Sequence, residues 1–302
     1  MVGTQTQSSP GPSARGLPTD PDGLPLVMGI VNVTPDSFSD GGRWADAGAA
    51  RAHAEHLVDA GAQILDVGGE STRPGSDRVP EEEELRRVLP VVRDLAGAGW
   101  CVSVDTTRAR VAAATLEAGA TLINDVSGGL ADPDMFGVVA DAGAPYVLMH
   151  WRGHSQDMYG PAHYDDVAGE VLAELGEQLD RAVTAGVAVE QVVLDPGFGF
   201  AKTAAHNWVL MGEIDRFVAG ARELGCASLI GVSRKGFLGQ VRQAVAGEGD
   251  PVPAGERDVA TATTSLLSAQ AGAWSVRVHD VQGTVDALGV LRHARRAAGG
   301  SV

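Results

Sequence analysis

The sequence predicts a (β/α)8 barrel folded as a single domain, and three observations carry that prediction. Short apolar runs alternate with segments of helical spacing eight times over about 275 residues, the usual size of such a barrel. Almost every apolar run ends on a polar group: Asn32, Glu70, Asp105, Asn124, His150, Asp195, Lys235 and the pair Arg277/His279. No GxGxxG follows the first run, which argues against the runner-up, an open doubly wound sheet binding a dinucleotide.

The elements follow in order. Residues 26–31, LVMGIV, form a short buried strand that stops at Asn32. The next stretch, TPDSFSDGG, is loop chemistry and outruns the usual connection of about 4–6 residues. Asn32 is therefore expected to open a binding site, with the loop as a mobile part of it. A helix spans 44–60 and stops at Gly61. Residues 64–68 are a second strand, followed by the polar run 69–75. The helix at 80–98 has an acidic first turn, Glu81 to Glu84, which suits the helix dipole. Residues 100–104 are the third strand, ending at Asp105, with a helix at 108–118. Residues 121–123 are the fourth, ending at Asn124 and Asp125, with a helix at 133–142. Residues 145–149 are the fifth and run into His150, Trp151 and Arg152; a helix follows over about 165–185. Residues 192–194 are the sixth, ending at Asp195, and one helix is expected over 204–224. Residues 228–232 are the seventh, ending at Ser233, Arg234 and Lys235, before a helix at 255–271. Residues 273–278 are the eighth, and the last helix covers 281–298.

The tips carry the functional signal. A barrel enzyme builds its site at the carboxyl ends of its strands. One polar tip is commonplace, but eight converging on one mouth are costly without a ligand. Side chains alternate along a strand, so Ser103 shares a face with Asp105, Ser233 with Lys235, and Arg277 with His279.

Composition narrows the partners. The 302 residues are 44% hydrophobic, enough for a full core, and the net charge is -16. That balance, with no basic runs, disfavours nucleic acid and anionic membrane surfaces. An anionic substrate must then be met by a local cluster of positive charge. No apolar run approaches the length of a membrane-spanning helix. Two cysteines, Cys101 and Cys226, make neither a disulfide framework nor a CxxC pair, so a cytoplasmic, reducing compartment is expected. Residues 1–25, rich in Pro, Gly, Ser and Thr, read as a disordered tail rather than a secretory signal; the catalytic domain is 26–298. Among 23 basic residues only Lys202 and Lys235 are lysines. An ammonium and a guanidinium do different jobs, so both are candidates for chemistry that Arg cannot replace. The role of Lys202 stays open.

Two subsets of polar tips separate by chemistry. Asp105, Asn124 and Asp195 with Lys235 mix acceptors and donors, which suits a flat heterocycle with an amino-amidine edge and a carbonyl. Thr72, Arg73, Arg277 and His279 with Asn32 suit a polyanion such as a diphosphate. Asn32 with carboxylates of its loop could hold Mg²⁺, an oxygen-liking ion often shared with phosphate. No zinc spacing, HEXXH or GxSxG is present.

The motifs NVTPDSFSDGG (32–42), DVGGESTRPG (66–75), SVDT (103–106), INDVSGG (123–129), LMHWRG (148–153), DPGFGFAKT (195–203), GVSRKGFLG (231–239) and RVHD (277–280) resemble the dihydropteroate synthases of bacterial folate synthesis, in order from about residue 26 to 290. The resemblance implies a TIM barrel, a sulfonamide target, that joins 6-hydroxymethyl-7,8-dihydropterin diphosphate to p-aminobenzoate. It implies pterin contacts at Asp105, Asn124, Asp195 and Lys235, and diphosphate contacts at Thr72, Arg73, Arg277 and His279. Mg²⁺ falls to Asn32, with Asp40 as a candidate second ligand or a loop-closing group. Phe38, Pro74, Phe200 and Lys235 form the p-aminobenzoate pocket. Catalysis rests on Asp105, Asp195, Lys235 and Arg277. It also implies a homodimer through late helices. Physical chemistry agrees: buried carboxylates stabilise a cation left on the pterin as diphosphate departs, so a dissociative, SN1-like displacement is expected. One position departs from the pattern: Gly236 stands where many members have Ser, so a hydroxyl near the benzoate carboxylate is missing.

Two rival readings fit part of the pattern. A methyltetrahydrofolate-binding methyltransferase barrel shares a pterin pocket but needs no diphosphate clamp. A non-catalytic pterin-binding paralogue would keep the pocket without turnover. His53, His56, His206 and His293 fall in helices and read as surface or packing residues; His150 and His154 read as packing beside the site.

Overall fold

The structure is a computed structural model that describes residues 16, 18–33, 43–70, 79–152, 162–247 and 250–299. Eight parallel strands close into a barrel in chain order, with β1 pairing both β2 and β8. The strands are β1 Leu26–Asn32, β2 Ile64–Gly68, β3 Val102–Asp105, β4 Leu122–Asp125, β5 Tyr146–Met149, β6 Val192–Asp195, β7 Ala227–Ile230 and β8 Ser275–Val278. The helices are α1 Arg43–Asp59, α2 Glu81–Gly97, α3 Ala109–Glu117, α4 Met135–Ala142, α5 Val167–Thr184, α6 Ala204–Gly212, α7 Ile214–Glu223, α8 Gln243–Ala246, α9 Asp258–Ala271 and α10 Val281–Gly299.

Strand alternation divides the molecule into two apolar volumes. Outward residues such as Val27, Val31, Leu65, Val67, Val104 and Ile123 join the helix faces in one large core. Inward residues Leu26, Met28, Ile64, Leu122, Val147, Val193 and Leu229 fill the lower barrel. Both sides of each strand are thus buried, which is why these runs read as continuous hydrophobic stretches.

Three expectations are corrected. The helix expected over 204–224 is two helices that meet at Glu213. Gly212, a poor helix former, sits at the break, and each piece aims its own apolar face at the core: Leu210 and Met211, then Ile214, Phe217 and Ala221. The helix after β7 starts at Asp258, behind a 3-10 turn at Ala254–Glu256. Residues 18–25, which the sequence places in a disordered tail, are packed on the barrel. Leu24 is buried, Asp20 pairs with Arg292, and the Trp274 indole N–H donates to the Pro18 carbonyl at 3.4 Å. These contacts press 18–25 against the amino end of the barrel, the face opposite the strand tips. Among the described residues, no helix is long and apolar enough to cross a membrane.

Candidate active site

Above the apolar layer, the inward positions turn polar. Asp66 sits one inward step above Ile64 and is fully buried. It accepts from Ser103 Oγ at 2.5 Å, Asn124 Nδ2 at 3.1 Å and Arg277 Nε at 2.6 Å. Arg277 extends a second arm, Nη2, to Asp105 Oδ2 at 2.9 Å. Four strands therefore meet in one network beneath the mouth: Asp66 from β2, Ser103 and Asp105 from β3, Asn124 from β4 and Arg277 from β8.

Asp66 was not singled out in the sequence. The signal was present, since a carboxylate in mid-strand on the face of Ile64 must point into the barrel. It also changes the reading of Arg277. That guanidinium, expected at a diphosphate, spends two donors neutralising buried carboxylates, as a fork geometry allows.

The network lies at the floor of a cavity of about 650 Å³. Asn32, Asp105, Lys235, Arg277, His279 and Phe200 all line it. Asn124 lies beneath, tied in through Asp66. Asp195 is buried below Gly231, where an added Cβ would stand 3.3 Å from its Oδ2. Thus the structure brings together every predicted site residue that it describes. Phe38, Asp40, Thr72, Arg73 and Pro74 lie outside the described residues.

Burial sets the electrostatics of the floor. It raises the Asp105 carboxyl well above the ordinary range, against the pull of Arg277. It raises Asp195 to about 6, opposed by a backbone N–H bond from Gly197 and by Lys235. Burial and the neighbouring Arg277 lower Lys235 to about 8. Carboxylates held this way gain most from a ligand that brings N–H donors or positive charge.

Two loops shape the wall. After β6, Gly197 N donates to Asp195 Oδ1 at 2.7 Å and Gly199 N to Asn207 Oδ1 at 2.7 Å. Gly199 has φ +76, and a Cβ there would lie 2.9 Å from Lys235 Cδ, so the close approach needs glycine. The Lys235 ammonium stands 4.0 Å from the Phe200 ring centroid, a cation–π contact. After β7, Arg234 adopts φ +58 and sends a bidentate fork to Asp258 at 2.7 Å for both arms. Arg257 Nη1 donates to the Arg234 carbonyl at 3.0 Å. The Ser233 hydroxyl accepts from the His279 amide at 3.1 Å and lies 2.9 Å from Nδ1.

Lys202, open in the sequence, is 1% exposed and lies against the cavity. His150 is a buried packing residue, as expected, but hydrogen-bonded at both nitrogens, to Lys202 and Glu174. Among the described residues, no three His, Cys, Asp or Glu are grouped to hold a metal.

Residues 28–279 match the family described as pterin binding enzyme. The chain is 51% identical over 266 residues to the dihydropteroate synthase of Mycobacterium leprae (strain TN), covering 88% of this chain and 92% of that one. Among solved structures it resembles Xanthomonas albilineans dihydropteroate synthase with 4-aminobenzoic acid, at TM-score 0.80 and 44% identity, over 90% of this chain and 93% of that one. It also resembles the Yersinia pestis dihydropteroate synthase in a sulfonamide complex, at TM-score 0.82 and 40% identity, over 94% and 98%.

Proposed function

The chain belongs to the pterin-binding enzyme family, and we infer that it is a dihydropteroate synthase, a transferase that joins 6-hydroxymethyl-7,8-dihydropterin diphosphate to p-aminobenzoate with loss of diphosphate. The observation that carries this reading is the buried carboxylate network under a cavity large enough for both substrates.

The pterin lies on that floor. Its amino-amidine edge donates to Asp105 and Asp195, Asn124 takes a mixed donor–acceptor position, and Lys235 donates to the ring carbonyl. The diphosphate sits at the mouth, near the His279 ring and the remaining donors of Arg277, with Thr72 and Arg73. The p-aminobenzoate ring packs on Phe200 beside Lys235, with Phe38 and Pro74. As the carbon–oxygen bond breaks, positive charge spreads over the pterin, and Asp105 and Asp195 stabilise it. The aromatic amine then attacks and loses its proton; it needs no strong base.

Asn32 suits Mg²⁺. It offers a carbonyl oxygen at the mouth, and this ion characteristically takes one or two protein oxygens and completes its shell with phosphate and water. Asp40 is the second candidate ligand. When bound, Mg²⁺ supplies charge neutralisation to the departing diphosphate. A homodimer through α9 and α10 belongs to the same reading, supported by Val259 and Val290, 81% and 69% exposed on those helices.

The test is turnover of purified full-length chain with pterin diphosphate, Mg²⁺ and p-aminobenzoate. Diphosphate release that requires all three supports the reading. Folded protein that binds pterin without releasing diphosphate would overturn it in favour of a non-catalytic paralogue.

A further inference from the structure

We propose that Lys202 is a positioning residue: its ammonium, from outside the substrate cavity's reactive face, braces the loop after β6 so that Phe200 meets Lys235 across the p-aminobenzoate site. The proposal rests on the reading of Phe200 and Lys235 as walls of that site.

Three contacts define Lys202. Its Nζ lies 3.2 Å from the Gly197 carbonyl, 3.2 Å from the Phe200 carbonyl and 3.0 Å from His150 Nδ1. All three partners act as acceptors. His150 Nε2 lies 2.9 Å from Glu174 Oε2, and a carboxylate partner there requires Nε2–H, leaving Nδ1 as the acceptor. An ammonium has three donors and fills this set completely. A neutral amine would leave one acceptor without a donor. Among the described residues Lys202 makes no ion pair with a carboxylate within 4.0 Å. Its donors go to two backbone carbonyls and one imidazole nitrogen, beside the Tyr164 ring at 5.8 Å.

The loop needs such a brace. Ala201 adopts φ +46, and among the described residues only Arg234 is another non-glycine at positive φ. A side chain in that region is strained and persists only where its surroundings over-determine it. The two residues flank the two wall residues: Ala201 follows Phe200, and Arg234 precedes Lys235. Lys202 clamps the carbonyls on either side of the 198–199 turn, Tyr164 O–H donates to the Ala201 carbonyl at 3.1 Å, and Asn207 Nδ2 donates to the Lys202 and Thr203 carbonyls at 3.3 and 2.7 Å. Lys202 is the member of this set that ties the loop to a neighbouring strand tip, through His150 after β5.

An arginine could not fill the role. Its planar fork cannot direct three donors to three converging acceptors from one atom. That accounts for a lysine here in a chain that otherwise uses Arg for positive charge.

The test compares full-length wild type, Lys202→Met and Lys202→Gln. In Lys202→Met the KM for p-aminobenzoate rises at least tenfold, while the Kd for pterin diphosphate stays within threefold. Lys202→Gln keeps an N–H donor and falls between, at about threefold or more. Amide hydrogen exchange supplies a readout independent of substrate: Gly199 and Phe200 exchange at least tenfold faster in Lys202→Met. Should that variant fail to fold, the same two readouts are taken on Lys202→Gln. Unchanged exchange at 197–203, or a p-aminobenzoate KM that rises only in step with the pterin Kd, overturns the proposal. Wild type that fails to turn over would instead overturn the assignment of function, and the exchange data would still decide the role of Lys202.

Discussion

The lower and upper halves of the barrel interior are built from the same strands with the same alternation, yet they do opposite work. Below, Leu26, Met28, Ile64, Leu122, Val147, Val193 and Leu229 pack as an apolar layer, with the Ser275 hydroxyl spent on the Leu26 carbonyl at 3.0 Å. One inward step higher stand Asp66, Asn124, Asp195 and Arg277, with Asp105 beside them. The lower layer follows the ordinary rule that burial of apolar surface stabilises. The upper layer violates it, concentrating carboxylates in a buried site where the pKa values of Asp105 and Asp195 are raised. On the proposed reading, the difference teaches where this chain accepts a cost in stability for the sake of a ligand's charge.

Changes in each half should therefore separate activity from stability. The largest effect is expected at Asp105→Asn. Removing its charge should lower kcat by about 10²–10³, the scale of a lost transition-state electrostatic contact, while the chain still folds and binds pterin diphosphate. Steady-state kinetics with calorimetric binding checks both halves of that statement. Leu122→Ala makes the converse change in the lower layer. It should cost about 2–5 kcal/mol in urea unfolding and leave both KM values unchanged.

Next comes pH. Asp195 titrates near 6 in the folded chain, above its ordinary value of 3.8. Between these values the unfolded chain loses this proton while the folded chain holds it. Stability from this group is therefore full at low pH and falls as pH rises through that window. On the proposed reading the Asp195 carboxylate is the active form, so kcat/KM should rise across the same range. Paired unfolding and rate profiles would show the opposed slopes, and Asp195→Asn should flatten the stability slope.

The smallest effect concerns the wall. An added Cβ at Gly236 meets nothing within 4 Å, so serine fits there. Gly236→Ser should lower the KM for p-aminobenzoate roughly two- to fivefold, the scale of one hydrogen bond to a charged group partly offset by solvent.

Much of this division was legible in the sequence. The eight strands were found because both faces of each are buried, and the polar tips because they interrupt apolar runs. Asp66 is not marked by a strand end, because it lies in mid-strand; only the period-two rule places it inward. Lys202 could not be assigned because its partners, Gly197, Phe200 and His150, meet only after β5 and β6 pair. The break at Glu213 was hidden by an apolar spacing that continues across two helices. The packing of 18–25 depends on Arg292, at the far end of the chain, and no local pattern reports it.

The claim beneath the comparison is that the upper layer stabilises a pterin cation before the amine attacks. It is tested most directly with pterin diphosphate carrying oxygen-18 in the carbon–phosphorus bridge, incubated with full-length chain and Mg²⁺ but no p-aminobenzoate. The account predicts that label moves into non-bridging positions, and that Asp105→Asn slows the exchange. Complete retention of label in the bridge, in protein that condenses both substrates normally, would contradict it.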